Sequence, residues 1–421
     1  MNARRSPVPT VVSAVDVAFR AEWSGLVAVL RREFGDLQVA EDAAQEAFAA
    51  ASRVWRRDGV PDRPGAWLLV TARRRAIDAL RCARALDDRM AMLADAPPPS
   101  TDEVLDDQLA LIFGCCHPAL AVEAQVALTL RTVCGLSTEQ IAHAFLVPSP
   151  TMGKRIVRAK DKIRQAGIPF DVPPIERLDE RVDGVAAVIY AVFTEGHASS
   201  TGTTLIRGDL CDEAIWLAET TSDLLPAHGE LHALSALCLL TDARRAARFD
   251  DTGAPVLLKD QDRELWDRAK VARGLDHLIV ARRNEAQGAY RPQAEIAAIH
   301  SMAPCYGATD WSAIVAVYDR WLEADGGPVV ALNRAAAIGE HDGSEAALAA
   351  LAPLLDSGAL DDYHYAHVAN AAHLRALGRH ERAIRAYDRA IAVCTNDAEA
   401  SWIRAQRAQL IGDDPRLSSS E

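Results

Sequence analysis

The stretch Leu136–Arg164, LSTEQIAHAFLVPSPTMGKRIVRAKDKIR, predicts two short helices joined by a tight turn. Ser137 and Gln140 form a capping-box pattern at the start of the first helix. The Pro-Ser-Pro sequence at 148–150 breaks the chain, with its serine expected as the N-cap and its second proline as the first residue of the next helix. This order of elements is typical of a helix-turn-helix.

The second predicted helix has an apolar side and a cationic side. At about 100° per residue, its apolar side chains fall within one narrow arc: Met152, Ile156, Ala159 and Ile163. The opposite side carries a hydroxyl and four cations: Thr151, Lys154, Arg155, Arg158 and Lys162. An apolar back and a cationic front suit a helix that lies in the DNA major groove. A basic face exposed only to solvent is equally compatible with this pattern.

The composition predicts an all-α protein. Hydrophobic residues make up 49% of the 421 residues and aromatic residues only 5%, and alanine, leucine, arginine and glutamate occur without regular Val/Ile alternation. No run of eighteen apolar residues is present, and the N-terminus lacks an apolar core followed by a cleavage site. We therefore expect neither a membrane span nor a signal peptide, and a cytoplasmic location.

Charge is distributed unevenly along the chain. Residues 1–170 carry 22 basic and 20 acidic side chains, whereas the remainder carries 24 basic and 39 acidic ones, so the net charges are +2 and −15. The near-neutral first part groups its cations on two helices and is compatible with DNA binding. The acidic remainder is expected to prefer protein partners.

A helix predicted from Val39 to Arg57 has a core stripe that comprises Leu37, Ala44, Phe48, Ala51 and Trp55. Its opposite side is polar and mainly acidic, with Asp42, Gln45, Glu46 and Arg53. Such a face is usually exposed to solvent, and it also suits a docking surface.

A further helix, predicted from Gly65 to Leu86, combines an aromatic side chain with cations. One side carries Trp67, Thr71, Arg74, Asp78 and Arg81, and Arg75 flanks it. An aromatic ring beside arginines can stack on unpaired bases while the cations hold the phosphates. Packing of Trp67 against a neighbouring helix is an equally good interpretation.

Segment composition predicts the domain boundaries. The stretch 96–103, APPPSTDE, is rich in proline and acid and lacks apolar periodicity, so it predicts a flexible linker. Near the C-terminus, the spacing of Gly378, Ala383, Tyr387 and Ala390 matches a tetratricopeptide repeat. The expected segments are a disordered tail (1–13), a helical module (14–86), the linker (87–107), a second helical module with the helix-turn-helix (108–168), a helical extension (175–300), tetratricopeptide-like repeats (301–410) and a tail (411–421).

Three segments in this order resemble one family. They are AEDAAQEAF (Ala40–Phe48), PGAWLLVTARRRAIDALR (Pro64–Arg81) and LSTEQIAHAFLVPSPTMGKRIVRAK (Leu136–Lys160). Together they resemble a group IV (extracytoplasmic-function type) RNA polymerase sigma factor of the sigma-70 family. The rest of the chain, including FTEGHASS (Phe193–Ser200), resembles the subgroup with a C-terminal tetratricopeptide-like extension.

The resemblance implies a transcription initiation factor that is not an enzyme and needs no cofactor. Its partners would be core RNA polymerase, promoter DNA and a regulatory protein that contacts the C-terminal domain. The implied polymerase-binding residues are Asp42, Gln45 and Glu46. The implied −10 element residues are Trp67, Thr71, Arg74 and Arg75. The implied −35 element residues are Thr151, Lys154, Arg155 and Arg158.

Two other functions remain compatible with the residues. One is a helix-turn-helix transcription regulator with a tetratricopeptide interaction domain that is not a polymerase subunit. The other is a scaffold in which the repeats carry the function. Catalysis is not expected, because the chain has no phosphate-binding loop, HExxH motif or nucleophile elbow.

No metal site is predicted. The pairs His228/His232 and His364/His367 have helical spacing that suits zinc, but neither has an evident third ligand in the sequence. Cys115 and Cys116 are adjacent to each other and also lack further ligands at useful spacing. We therefore expect these side chains to have packing or polar roles.

Overall fold

The computed structural model describes residues 11–82, 92–145, 147–174, 177–197, 208–250, 256–394 and 397–413. These residues form eighteen α-helices and several short 3-10 turns, with no β-strand among them. The predicted all-α fold is therefore confirmed. Most of the predicted tails (1–10 and 414–421) and the start of the predicted linker (87–91) lie outside the described residues.

The chain divides into two compact units, Met1–Val192 and Phe193–Glu421. The helices that begin in the first unit are α1 (Val11–Phe34), α2 (Leu37–Asp58), α3 (Pro64–Cys82), α4 (Thr101–Cys115), α5 (Val122–Thr132), α6 (Thr138–Ala144), α7 (Ser149–Ala166) and α8 (Leu178–His197). Those of the second unit are α9 (Gly208–Leu224), α10 (Gly229–Asp242), α11 (Arg268–Arg283), α12 (Tyr290–Met302), α13 (Trp311–Asp325), α14 (Pro328–Asp342), α15 (Ser344–Asp356), α16 (His364–Ala376), α17 (His380–Val393) and α18 (Asp397–Asp413). None of the described helices is long and apolar enough to span a membrane.

Helices α1, α2 and α3 pack together around the small side chains of α2. Gly35 adopts a left-handed conformation (φ +76°) at the end of α1. Asp36 then caps α2, because its carboxylate accepts hydrogen bonds from the backbone N–H groups of Gln38 and Val39 at 2.7 and 3.1 Å. The predicted core stripe is buried, together with further alanines that allow close helix contact: Leu37, Ala40, Ala43, Ala44, Ala47, Phe48, Ala51 and Trp55.

Helix α4 begins at Thr101, inside the segment predicted as a flexible linker (87–107). Ser100 and Glu103 form a reciprocal capping box there, with the Glu103 N–H donating to Ser100 Oγ and the Ser100 N–H donating to Glu103 Oε2. The acidic residues that suggested a linker therefore stabilise the first turn of a helix, where carboxylates also interact favourably with the helix dipole.

The helix-turn-helix consists of α6 and α7, which pack against each other. The Ser137/Gln140 capping box is present, with mutual hydrogen bonds of 2.7 and 3.1 Å. The predicted N-cap at Ser149 is wrong by one residue, because the Pro148 carbonyl accepts the first helical hydrogen bonds and makes Pro148 the N-cap. The predicted apolar arc of α7 is buried: Met152, Ile156, Ala159 and Ile163.

The two predicted modules of the first unit are joined by a buried polar network. Its centre is Glu41 on α2, which is 0% exposed. Glu41 accepts hydrogen bonds from Thr132 Oγ1 at 2.7 Å and from Lys160 Nζ at 3.0 Å, and Arg131 Nε lies 3.5 Å from the same carboxylate. Trp23 Nε1 donates to the Thr132 carbonyl at 2.9 Å. Side chains of α1, α2, α5 and α7 thus meet around one carboxylate.

The first unit extends beyond the predicted end of the second module at 168. The Phe170 ring lies under the Arg31 guanidinium, 4.6 Å from ring centroid to Cζ. Arg181 on α8 donates to the Phe113 carbonyl at 2.6 Å. The predicted extension starts at 175, whereas the first unit includes the chain up to Val192.

In the second unit, consecutive helices pack in pairs, including α14 with α15 and α16 with α17. The small and aromatic residues of the predicted repeat lie in one core: Ala383, Tyr387 and Ala390 pack with Ile403 and Leu410 of α18. Their burial is compatible with the tetratricopeptide pattern, which stays a prediction.

We predict that Glu41→Ala lowers the free energy of unfolding of the first unit by roughly 3–5 kcal/mol, because it leaves the Lys160 ammonium buried without its carboxylate. Glu46→Ala is the matched control. Glu46 is exposed and pairs with Arg75 at 3.5 Å, so its loss should change stability by less than about 1 kcal/mol. Urea unfolding followed by circular dichroism measures both, and equal effects would contradict the prediction.

Candidate functional site

The cationic side chains of α7 line one cleft in the first unit. A cleft of about 410 Å³ is lined by Thr151, Lys154, Arg155, Arg158 and Lys162 on α7, by Ala124 on α5, and by Leu120 and Ala121 just before α5. Thr151, Lys154 and Arg158 are exposed, and Arg155 is half-buried. The structure therefore brings together the four side chains predicted for the −35 element.

The cations on this face differ from the other basic residues of α7 in having no acidic partner. Lys154, Arg155 and Arg158 make neither an ion pair nor a hydrogen bond within the part of the chain that the structure describes. By contrast, Lys160 binds Glu41, and Arg164 lies 3.0 Å from Asp161. A row of exposed cations that no acid neutralises can bind the phosphates of a polyanion.

The predicted −10 residues lie on the outer side of α3. The Trp67 ring packs edge-to-face on Trp55, with centroids 5.6 Å apart, and it remains half-buried. Thr71 Oγ1 donates to the Trp67 carbonyl at 2.8 Å, so this hydroxyl has its acceptor capacity left for a ligand. Arg74 and Arg75 are both exposed. Trp67 thus packs against a neighbouring helix and also keeps part of its ring at the surface.

The predicted polymerase-binding residues Asp42, Gln45 and Glu46 are all exposed on α2, opposite its buried alanines. Glu46 lies 3.5 Å from Arg75, which connects this acidic face to the −10 residues. Asp42 accepts a hydrogen bond from Gln38 at 2.8 Å. The acidic face and the −10 residues therefore form adjacent surfaces on α2 and α3.

Arg73 has a structural role that its place in a run of three arginines in α3 does not indicate. It is buried and binds Glu33 through two hydrogen bonds of 2.5 and 3.0 Å. It also donates to the Ala96 carbonyl at 2.7 Å. Arg73 therefore anchors the segment before α4 to the helix bundle, while Arg74 and Arg75 face outwards.

The residues that sequence reasoning missed are the members of the Glu41 network. One signal was present: Lys160 falls at the edge of the apolar arc of α7, four residues after Ile156 and three before Ile163. A charge at the edge of a buried seam requires a buried partner. Which acid would supply that partner, 119 residues away on α2, is decided only by the fold.

The adjacent cysteines behave as core side chains. Cys115 and Cys116 are both buried, and burial raises the pKa of both thiols, that of Cys116 to about 11. Both are therefore neutral thiols at pH 7, whereas metal binding and nucleophilic reactions require the thiolate.

Three family models match separate parts of the chain. Residues 19–85 match Sigma-70 region 2, residues 110–163 match Sigma-70, region 4, and residues 181–282 match a family of unknown function (DUF6596). The two sigma-70 matches contain the residues predicted for polymerase, −10 and −35 binding.

Two relatives differ in how much of the chain they cover. An "Uncharacterized protein R00370" of Rhizobium meliloti (strain 1021) is 41% identical over 419 residues, which is 97% of this chain and 98% of that protein. A "Probable ECF RNA polymerase sigma factor SigI" of Mycobacterium tuberculosis is 31% identical over 171 residues, covering 38% of this chain and 58% of that protein. No solved structure matches.

Proposed function

The chain belongs to the sigma-70 family as a group IV sigma factor with a C-terminal helical extension, and we propose that it directs core RNA polymerase to promoters by binding their −10 and −35 elements. Members of this family are transcription initiation factors and not enzymes, and they bind core RNA polymerase and promoter DNA. The observation that carries the proposal is the row of cations on the second helix of the helix-turn-helix, which have no acidic partner among the described residues.

At the −35 element, α7 would lie in the major groove with Thr151 near its leading end. Arg155 and Arg158 each have the length and donor geometry to bind guanine O6 and N7, or alternatively a phosphate. Lys154 offers a point charge that suits the phosphate backbone. The buried arc of α7 holds the helix to the rest of the first unit, so the cationic side is presented outwards.

At the −10 element, α3 would hold an unwound strand. The exposed part of Trp67 offers a stacking surface whose orientation is set by Trp55, and Arg74 and Arg75 offer charges for phosphates. A ring already packed on its neighbour loses little conformational freedom when a base stacks on it. The acidic residues Asp42 and Glu46, with Gln45, would contact core RNA polymerase on the adjacent surface of α2.

We propose further that the acidic second unit controls initiation, through contacts with a regulatory protein or with the first unit. Residues 193–421 carry 22 basic and 34 acidic side chains, a net charge of −12 that is opposite in sign to the DNA-binding faces. A protein that binds core polymerase and promoters acts in the cytoplasm, which is therefore the location that we propose.

We predict that Arg158→Ala weakens promoter binding by the reconstituted holoenzyme. If Arg158 binds a guanine, the loss is roughly 1–3 kcal/mol and confined to promoters with that base. If it binds a phosphate, all promoters weaken alike and the salt slope of binding falls by about 1. Arg164→Ala is the matched control, because Arg164 lies on the same helix but pairs with Asp161 away from the cleft. Footprinting and run-off transcription on genomic fragments test this, and undiminished initiation by Arg158→Ala would remove it from the site.

We predict that the double variant Asp42→Ala, Glu46→Ala lowers the affinity for core RNA polymerase, measured without DNA, at least about tenfold, or 1.4 kcal/mol. The double variant Asp102→Ala, Asp106→Ala removes the same charge from exposed positions of α4 and should bind normally. If the unaltered chain bound promoter DNA but not core polymerase, the helix-turn-helix regulator would replace the sigma factor as the function.

We predict that a chain ending at His197, which retains all helices that begin in the first unit, differs from the full chain in promoter-driven transcription. A coupling of 1–3 kcal/mol between the two units corresponds to a change of at least about fivefold, in either direction. Run-off assays at equal chain and polymerase concentrations measure it. Unchanged transcription together with unchanged polymerase affinity would contradict a controlling role of the second unit.

A further inference from the structure

Three side chains with metal-binding atoms converge from separate helices in the second unit. His364 is the first residue of α16, Cys394 directly follows α17, and Glu399 lies in the first turn of α18. Their ligand atoms all lie within 4.8 Å of one another, and His364 Nε2 is 3.1 Å from Glu399 Oε2. The sequence separations of 30 and 5 residues conceal this group.

The spacing of these atoms is close to that of a tetrahedral zinc site. Zinc binds nitrogen, sulfur and carboxylate oxygen at 2.0–2.3 Å, which places neighbouring ligand atoms roughly 3.3–3.7 Å apart. Side-chain adjustments of about 1 Å or less therefore suffice to close the group around an ion. A thiolate and a carboxylate would together neutralise the charge of Zn²⁺.

The surroundings orient the ligands. Among the residues that the structure describes, His364 Nε2 is buried and lies 3.1 Å from Glu399 Oε2 without the geometry of a hydrogen bond. Tyr365 Oη donates to Glu399 Oε1 at 2.5 Å, which leaves the other carboxylate oxygen directed towards His364. The His364 ring also packs on the Tyr365 ring, with centroids 4.0 Å apart. Hydrogen bonds and packing contacts of this kind fix the orientation of the ligands at protein metal sites.

The histidine pair that the sequence suggested is not brought together as a metal site. His367 is buried, and its Nε2 atom is hydrogen-bonded to the Asp361 carbonyl at 2.9 Å. The side chains that would bind a metal ion together with His364 come instead from the end of α17 and the start of α18.

Another group with comparable spacing, formed by His197, Cys211 and Asp242, is unsuited to a cation. The Asp242 carboxylate already binds Arg245 at 2.7 and 2.8 Å and Lys270 at 2.6 Å. Burial and the neighbouring arginines, Arg248 first among them, lower the pKa of His197 to about 3. A positive field that resists protonation also resists a metal ion.

We propose that His364, Cys394 and Glu399 bind a zinc ion, with water as the fourth ligand, and that the ion ties α16 to the junction of α17 and α18. Binding deprotonates the Cys394 thiol and releases that proton to solvent. The ion adds a link between segments that also meet through the hydrophobic core around Tyr387 and through the Tyr365–Glu399 hydrogen bond.

The test uses the tag-free full chain, stripped with a chelator and titrated with Co²⁺ as a spectroscopic probe for Zn²⁺. We expect one equivalent to give tetrahedral cobalt bands with a thiolate charge-transfer absorption, which one equivalent of Zn²⁺ abolishes. Cys394→Ser should lose the charge-transfer absorption, and Tyr365→Phe should weaken binding roughly 10–100-fold. Cys305→Ser, which removes an exposed cysteine elsewhere in the second unit, is the matched control and should bind normally.

His364→Gln provides a second variant in case Cys394→Ser disturbs folding, and circular dichroism checks both. Zinc should also raise the thermal unfolding temperature of the chain but not that of either variant. No cobalt–thiolate absorption at one equivalent, or an absorption that persists in Cys394→Ser, would overturn the proposal.

Discussion

The buried carboxylate of Glu41 is the constraint on which the arrangement of the first unit depends. Removing a carboxylate from water is costly unless charged and hydrogen-bonding partners replace the lost hydration. Thr132 and Arg131 on α5 and Lys160 on α7 supply these partners. Because Glu41 must contact all three side chains at once, α2, α5 and α7 are held in one relative orientation.

This constraint gives α2 three roles on three sides. Its alanines allow α1 and α3 to approach closely, Glu41 holds α7, and the acidic face with Asp42 and Glu46 remains exposed. The same fold separates the basic residues by burial and pairing. Arg73 and Lys160 are buried on acids, whereas Lys154 and Arg158 lie at the surface and have no acidic partner among the residues that the structure describes. Under the proposed function, the second kind is the one that binds DNA.

The second unit shows how electrostatic surroundings decide what a ligand set can do. His197 and His364 each lie beside a cysteine and a carboxylate, so composition alone would rank the two groups equally. Arginines and a lysine surround the first group, whereas the second has a tyrosine hydroxyl that orients its glutamate. A cation is therefore disfavoured at one site and favoured at the other.

Local pattern was sufficient for the all-α fold, for the buried arc of α7 and for the Ser137 capping box, because helix periodicity and capping depend on residues within about four positions. It was insufficient where the same residue types serve two purposes. The acids after Ser100 suggested a linker but lie in the first turn of α4. The capping box between Ser100 and Glu103 starts a helix there despite the acidic composition.

The sequence by itself determined which faces of α2, α3 and α7 are polar and which are apolar. Only the tertiary structure decided that Glu41 meets Lys160 across 119 residues and that His364 meets Cys394 across 30 residues. Such contacts join elements distant in the chain, and their energies depend on burial and on the field of all neighbouring groups. Neither quantity is contained in residue spacing, and both exist only once the helices have packed.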